Sequence, residues 1–290
     1  MTKIVFFGSS SYSLLPLQTL NKLSDFQIVS VISKTDKAFG RNKIITPNPV
    51  AKYCSDHNLP LFQIEEFSQT TKSYLSNLHA DLALCVAFGP PFFDQETIDI
   101  FPQKIVNIHP SPLPKYRGAT PGPWQIINSE TKSAVTFFQI DSLPDHGPII
   151  STLPFDISET ETSDSFYQKA FQLASDNLSS VLNSYLKNPT KLLIQDHSQK
   201  SYFPKMTQET AKINWTWDLP KISRFIRALN PWPIAWTTVS TQQGNLLKMK
   251  IFSTSNHQKS ELIPEIVQIE GKNKTNWQEI EKYYSIVTEK

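Results

Sequence analysis

A chain of 290 residues has room for one large domain or two ordinary ones, and 39% hydrophobic with 19% charged residues suits a globular protein with a proper core. No run approaches the roughly 18–20 apolar residues of a membrane span, and the N-terminal MTKIVFFGSSSYS lacks the apolar region of about 7–15 residues that a signal peptide needs. The net charge of +2 is unevenly spread: residues 1–190 carry 14 Lys/Arg against 17 Asp/Glu, and residues 191–290 carry 14 against 9. A basic C-terminal part on a slightly acidic body points to an anionic partner, although a solvated basic face has the same pattern. Cys54 and Cys85 lie far apart without metal-ligand spacing, which fits buried thiols in a cytoplasmic protein.

In chain order, KIVFFG (3–8) is expected as a strand, and residues 12–24 place leucines at helical spacing. QIVSVIS (27–33) is a second strand, 47–58 a helix opened by prolines, and LPLFQI (59–64) a third strand. DLALCVAFG (81–89) reads as a buried strand, DQETIDIF (94–101) as a short helix, and KIVNIH (104–109) as a strand. Continuous apolar runs separated by helices predict parallel βαβ units, with ligands at the carboxyl ends of the strands. Gly8, the 33–43 loop, Ala87–Gly89 and Asn107–His109 should therefore meet at one crevice. SAVTFFQID (133–141) and PIISTLPFDI (148–157) read as a hairpin, and 163–186 as one long amphipathic helix. Residues 187–206, with Pro189 and Pro204, read as a linker. Beyond it come a Trp-rich piece, a helix at 223–229, a break at NPWP and short strands.

The glycine after the first strand does not make a dinucleotide site. GSSSYS is not GxGxxG, no acidic residue ends the second strand, and no GxxxxGK[ST] loop occurs. The chemistry sits instead in VNIHPSPLPKYRGATPG (106–122). Strand alternation puts Asn107 and His109 on one face. An amide beside an imidazole can polarise a carbonyl: the amide donates to a developing oxyanion, and the imidazole donates or shuttles a proton. A carboxylate that tunes the imidazole could come from Asp141 or from Asp145, which lies in the tight turn DHGP. No GxSxG elbow, HExxH or CxxC set is present. The residues by themselves thus predict a carbonyl-directed transfer site without metal or covalent nucleophile, with turn chemistry as the bland alternative.

NIHPSPLPKYRGATP followed by DHGPII resembles the 10-formyltetrahydrofolate-dependent formyltransferase family. Three further stretches resemble the branch that acts on methionyl-tRNA: SKTDKAFGRNKIITPNPV (33–50), RFIRALNPWPIAW (224–236) and VQIEGKNKTNWQEIEKYY (267–284). The resemblance implies a Rossmann-like parallel-sheet α/β formyltransferase domain (1–188), a linker (189–206) and a smaller, β-rich, OB-like C-terminal tRNA-binding domain (207–290). It implies Asn107, His109 and Asp145 as catalytic residues. Ser111, Pro112, Leu113, Pro114, Phe88 and Gly89 would bind 10-formyltetrahydrofolate as co-substrate, without metal. Lys37, Arg41, Lys43 and Arg117 would meet initiator methionyl-tRNA. The implied enzyme is a cytoplasmic monomer without membrane contact.

The sequence departs from the family pattern at Ser10–Tyr12, at TPGPWQII after Ala119, and between Phe252 and Val267, where the chain is short. An OB-like barrel takes about five strands, whereas residues 230–290 promise four, so the C-terminal domain should be trimmed or open. That keeps two alternatives: a sugar-nucleotide N-formyltransferase, and a non-catalytic tRNA-binding protein.

Overall fold

In chain order the elements are β1 (Thr2–Phe7), α1 (Leu14–Leu20), β2 (Phe26–Lys34), β3 (Lys37–Phe39), β4 (Ile44–Thr46), α2 (Pro49–Asp56), β5 (Leu61–Ile64), α3 (Gln69–Asn77), β6 (Leu82–Cys85), α4 (Gln95–Asp99), β7 (Ile105–His109), α5 (Pro121–Ile127), β8 (Lys132–Gln139) and β9 (Ile149–Asp156). They continue with α6 (Ser163–Asp176), α7 (Leu178–Lys187), α8 (Leu219–Ala228), β10 (Trp236–Thr241), β11 (Leu246–Ile251), β12 (Ile266–Ile269), β13 (Lys274–Asn276), α9 (Trp277–Ile280) and β14 (Tyr284–Val287). This computed structural model describes residues 1–39, 44–255 and 262–288. None of its helices is long and apolar enough to cross a membrane, among the described residues.

Two compact units divide the chain. The first comprises Met1–Gly118, Ala134–Phe155 and Gln168–Tyr202; the second comprises Ala119–Ser133, Asp156–Tyr167 and Phe203–Lys290. The first is built on a seven-stranded sheet of order β5-β2-β1-β6-β7-β8-β9. β1 runs parallel to β2 and β6, β2 to β5, and β6 to β7, whereas β8 is antiparallel to β7. Ile4 to Phe7 and Leu82 to Leu84 are fully buried, as expected of central strands covered on both faces. The order reverses direction at β1, so the crevice opens beyond β1 and β6. Register makes this edge level: Ile32 and Cys85 both pair with Phe7, and Asn107 pairs with Cys85.

Side-chain caps start several helices where the sequence changes period. Asn48 accepts from the Val50 and Ala51 amides, with Pro49 at the first helical position; Ser68, Asp94 and Asp218 cap α3, α4 and α8. Asp218 starts α8 four residues before the expected 223. The helix expected over 163–186 is two helices. Asn177 leaves the helical region (φ −103°, ψ 0°), and its side chain donates to the Leu173 carbonyl, competing with the backbone ladder. Part of the expected basic loop forms the β3–β4 hairpin, with Lys37 opposite Thr46. α3 and α5 were not expected; both are short and α5 is rich in proline.

The second unit packs α5 against α8, with Arg224 Nε donating to the Ile127 carbonyl. Its antiparallel sheet has five strands, in the order β13-β12-β11-β10-β14. The expectation of four is thereby corrected. β13 is only Lys-Thr-Asn, too short and polar to show an alternating pattern, yet it pairs in register with β12. Met249, Ile251, Val267 and Ile269 alternate with more exposed residues and form the buried face.

Candidate active site

β7 ends in the crevice and delivers two polar side chains. Asn107 is half-buried, and its amide makes no hydrogen bond among the described residues. His109 is 5% exposed, with its ring edge-on to Phe138. Its Nε2 lies 3.0 Å from the Tyr116 carbonyl oxygen. A carbonyl only accepts, so Nε2 carries a proton. Nδ1 then faces Asp145 Oδ1 at 3.5 Å. Of the two carboxylates considered, Asp145 is the one beside the imidazole; Asp141 instead binds His146 Nδ1 at 2.6 Å.

Local chain geometry explains why Asp145 can point there. The residue is left-handed, with φ 50°. Asp tolerates this region better than most residues. Its Oδ2 accepts from the Gly118 amide at 2.8 Å, which fixes the carboxylate from the opposite side. Two residues on, a Cβ at Gly147 would run into the Gln139 carbonyl oxygen, so the turn admits only glycine there. Asn107, His109 and Asp145 thus sit at one end of the sheet: an unengaged amide donor, an imidazole, and a carboxylate held by backbone.

The turn after His109 is held rigidly. Thr136 Oγ1 donates to the Ser111 carbonyl at 2.6 Å, and Ser111 Oγ donates to the Lys115 carbonyl at 2.8 Å. Ser111 and Leu113 are buried, and Pro112 and Pro114 are half-buried. What this turn can offer a ligand is therefore backbone and proline surface. Phe88 is buried too. It packs edge-on to Phe7, while Gly89 beside it is exposed with φ 72°. Lys34 Nζ lies 4.3 Å from the centre of the Phe88 ring, and burial, with Lys37 nearby, pulls its pKa down to about 8. Burial pushes the Cys85 thiol up to about 12, so it is no nucleophile.

The four cations assigned to tRNA fare differently. Lys37 is exposed beside the crevice edge of β2. Arg41 and Lys43 lie outside the described residues. Arg117 is only 6% exposed, and its Nη2 lies 2.6 Å from Gln195 Oε1 and 2.9 Å from His197 Nδ1. Its guanidinium is committed inside the protein, so it is not a rim contact for phosphate; burial lowers its pKa. Sequence reasoning missed Gln195, His197 and Ser201, which the reading as a linker had passed over. The one available signal was the apolar run Leu192–Ile194 directly before Gln195. Among the described residues, no group of three or more His, Cys, Asp or Glu is placed to hold a metal ion.

This fold, with its Asn-x-His strand end facing an Asp-x-Gly turn, defines a class, and comparison with known proteins agrees. The profile described as formyl transferase matches residues 2–182, and the formyl transferase C-terminal domain profile matches residues 205–280. The chain belongs to the formyl transferase family. Among its relatives is a methionyl-tRNA formyltransferase of Streptococcus equi subsp. equi, 32% identical over 252 residues, which are 87% of this chain and 80% of that one. Another, from Streptococcus uberis, is 34% identical over 251 residues, 86% of this chain and 80% of that one. A solved methionyl-tRNA formyltransferase of Clostridium thermocellum shares the fold, with a TM-score of 0.65 at 15% identity over 93% of this chain and 99% of that one. So does a sugar 3N-formyl transferase solved in the presence of dTDP and 5-N-formyl-THF, with a TM-score of 0.65 at 21% identity over 93% of each chain.

Proposed function

We infer that the protein transfers the formyl group of 10-formyltetrahydrofolate to the α-amino group of methionyl initiator tRNA. The observation that carries this reading is the level edge of β6 and β7, where unengaged Asn107 stands beside His109 and the anchored Asp145. The curated relatives named for this reaction run through both the sheet unit and the C-terminal segment.

The reaction follows from the groups present. The amine nitrogen attacks the formyl carbon, and the carbonyl π pair moves onto oxygen. Asn107 donates its amide N–H to that oxyanion, and His109, whose Nε2 proton stays on the Tyr116 carbonyl, stabilises it as the imidazolium through the Nδ1–H on the Asp145 side. The attacking nitrogen loses a proton towards Asp145, directly or through water. The carbonyl re-forms, the bond to folate N10 breaks, and N10 takes up the proton, leaving tetrahydrofolate. No covalent enzyme intermediate is needed. The turn Ser111–Pro114 and the chain at Phe88 and Gly89 form the folate side through backbone and apolar surface. Lys37, Arg41 and Lys43 form the tRNA side.

We divide the labour between residues 1–188 for chemistry and 207–290 for gripping tRNA, in a cytoplasmic monomer, with residues 189–202 packed into the first unit instead of serving as a linker. The test is a direct comparison of acceptors. Formyl transfer from 10-formyltetrahydrofolate is assayed with charged initiator tRNA and with an amino-sugar nucleotide. Formylation of the tRNA is expected. Formylation of the sugar alone overturns the assignment, and tRNA binding without transfer to either acceptor points to a retired enzyme.

A further inference from the structure

We propose that Gln195 is a positioning residue for the reaction, the centre of a strap formed by residues 193–202 that holds His109 and Asp145 in place together. The proposal rests on reading His109 and Asp145 as the reacting pair. Everything involved lies within the first compact unit.

The strap begins as a short extension of the sheet. Ile149 and Leu193 exchange backbone hydrogen bonds of 2.8 and 2.9 Å, which docks residue 193 beside the start of β9. Two residues later, Gln195 is 4% exposed beneath the turn that carries Asp145. Its Nε2 donates to the Asp145 carbonyl at 3.1 Å and to the Gly147 carbonyl at 2.7 Å. Its Oε1 accepts from Arg117 Nη2 at 2.6 Å. Arg has no acceptor, so the amide oxygen must face Arg117 and both amide protons must face the two carbonyls. The amide is used on both ends, and it clamps the left-handed residue Asp145, whose backbone conformation costs energy unless its surroundings hold it.

Arg117 in turn ties the clamp to the other half of the pair. Its Nη2 also approaches His197 Nδ1, which must then be the accepting nitrogen. The His197 ring stacks on His146 at 4.0 Å, and His146 binds Asp141. At the far end of the strap, Ser201 Oγ accepts from the Tyr116 amide at 2.9 Å, and the Ser201 carbonyl accepts from the Arg117 amide at 2.9 Å. Tyr116 is left-handed as well, and its carbonyl is the one that holds His109 Nε2. One strap therefore reaches Asp145 through Gln195 and His109 through Tyr116. The 3.5 Å separation between Nδ1 and Oδ1 depends on both.

The test uses the full chain with Gln195→Met and Gln195→Glu. Met removes every bond of the amide. Glu keeps the acceptor for Arg117 but loses both donors to the turn. Both variants should lower kcat by about 10²-fold, the cost of misplacing reacting groups by about an ångström, with KM for folate and for charged tRNA within twofold of wild type. Wild-type kcat in Gln195→Glu would mean that the amide only satisfies Arg117, and a rise in KM at constant kcat would mean a binding role; either overturns the proposal. The imidazole ¹⁵N shifts of His109 give a readout that needs no turnover. They should move in Gln195→Met in the direction seen in Asp145→Asn, and unchanged shifts overturn the proposal even if the wild type formylates neither acceptor. Should the Gln195 variants fail to fold, Ser201→Ala, which loses only the bond from the Tyr116 amide, is read by the same shifts: movement of the His109 Nε2 signal supports the strap, and its absence refutes it.

Discussion

Asn107 and His109 sit two residues apart but are held in different ways, and this separates their predicted variants. The Asn107 amide has no partner among the described residues, so truncating it removes nothing that folding needs. Asn107→Ala should unfold at the wild-type temperature and lose about 10²–10³ in kcat, the effect of one oxyanion donor. His109→Ala should lose at least as much activity. It also removes the hydrogen bond from the ring to the Tyr116 carbonyl, at a cost of about 0.5–1.5 kcal/mol in stability. Steady-state kinetics and thermal unfolding of the two purified variants check both statements, and an Asn107→Ala enzyme with a tenth or more of wild-type kcat contradicts the role given to it. That Asn107 and His109 share one face of a strand end was legible in the sequence, because strand alternation is a local property, whereas packing decided that Asp145 and not Asp141 stands beside the imidazole. Arg117 was misread for the latter reason. A basic residue after a proline-rich turn looks exposed, and only packing revealed that its guanidinium is enclosed by Gln195 and His197.

Whole elements depend on single joints. Asn48 is the clearest: its Oδ1 caps α2, while its Nδ2 reaches Ser33 Oγ, the Lys34 carbonyl and Asp36 Oδ1 at the end of β2. One side chain thus fastens a helix start to the crevice end of a strand. Asn48→Ala should destabilise the protein by about 1–2 kcal/mol from the lost cap alone. Asn48→Asp keeps the cap acceptor but sets a carboxylate against Asp36, so it too should fall below wild type. Denaturant unfolding of the three proteins orders them, and an Asn48→Ala protein as stable as wild type removes the joint from the account. The splitting of the long helix at Asn177 and the early start of α8 at Asp218 follow the same physics. Short polar side chains compete for backbone groups, and hydrophobic spacing cannot see them.

Across the whole molecule, charge and chemistry are allotted to different stretches of chain. The second unit sets lysines against aromatic rings on its sheet: Lys248 Nζ lies 4.1 Å from the Trp236 ring centre, and Lys274 Nζ lies 3.8 Å from that of Phe252. Rings beside ammonium groups suit nucleic acid, where phosphate contacts supply affinity and salt dependence rather than base readout. Lys248→Met and Lys274→Met should each weaken binding of charged tRNA and flatten the dependence of log K on log salt by about one. The KM for folate should not change; a salt slope that stays at its wild-type value in both variants places the tRNA elsewhere. By itself the sequence determined the parallel sheet, the Asn-x-His strand end and the Asp-x-Gly turn, because hydrophobic period and turn residues act between near neighbours. Tertiary structure alone decided that the strip once read as a linker braces the active site. The bonds of Gln195 and Ser201 reach about 50 and 85 residues back along the chain, and no local pattern encodes which distant carbonyl or amide a buried side chain will meet.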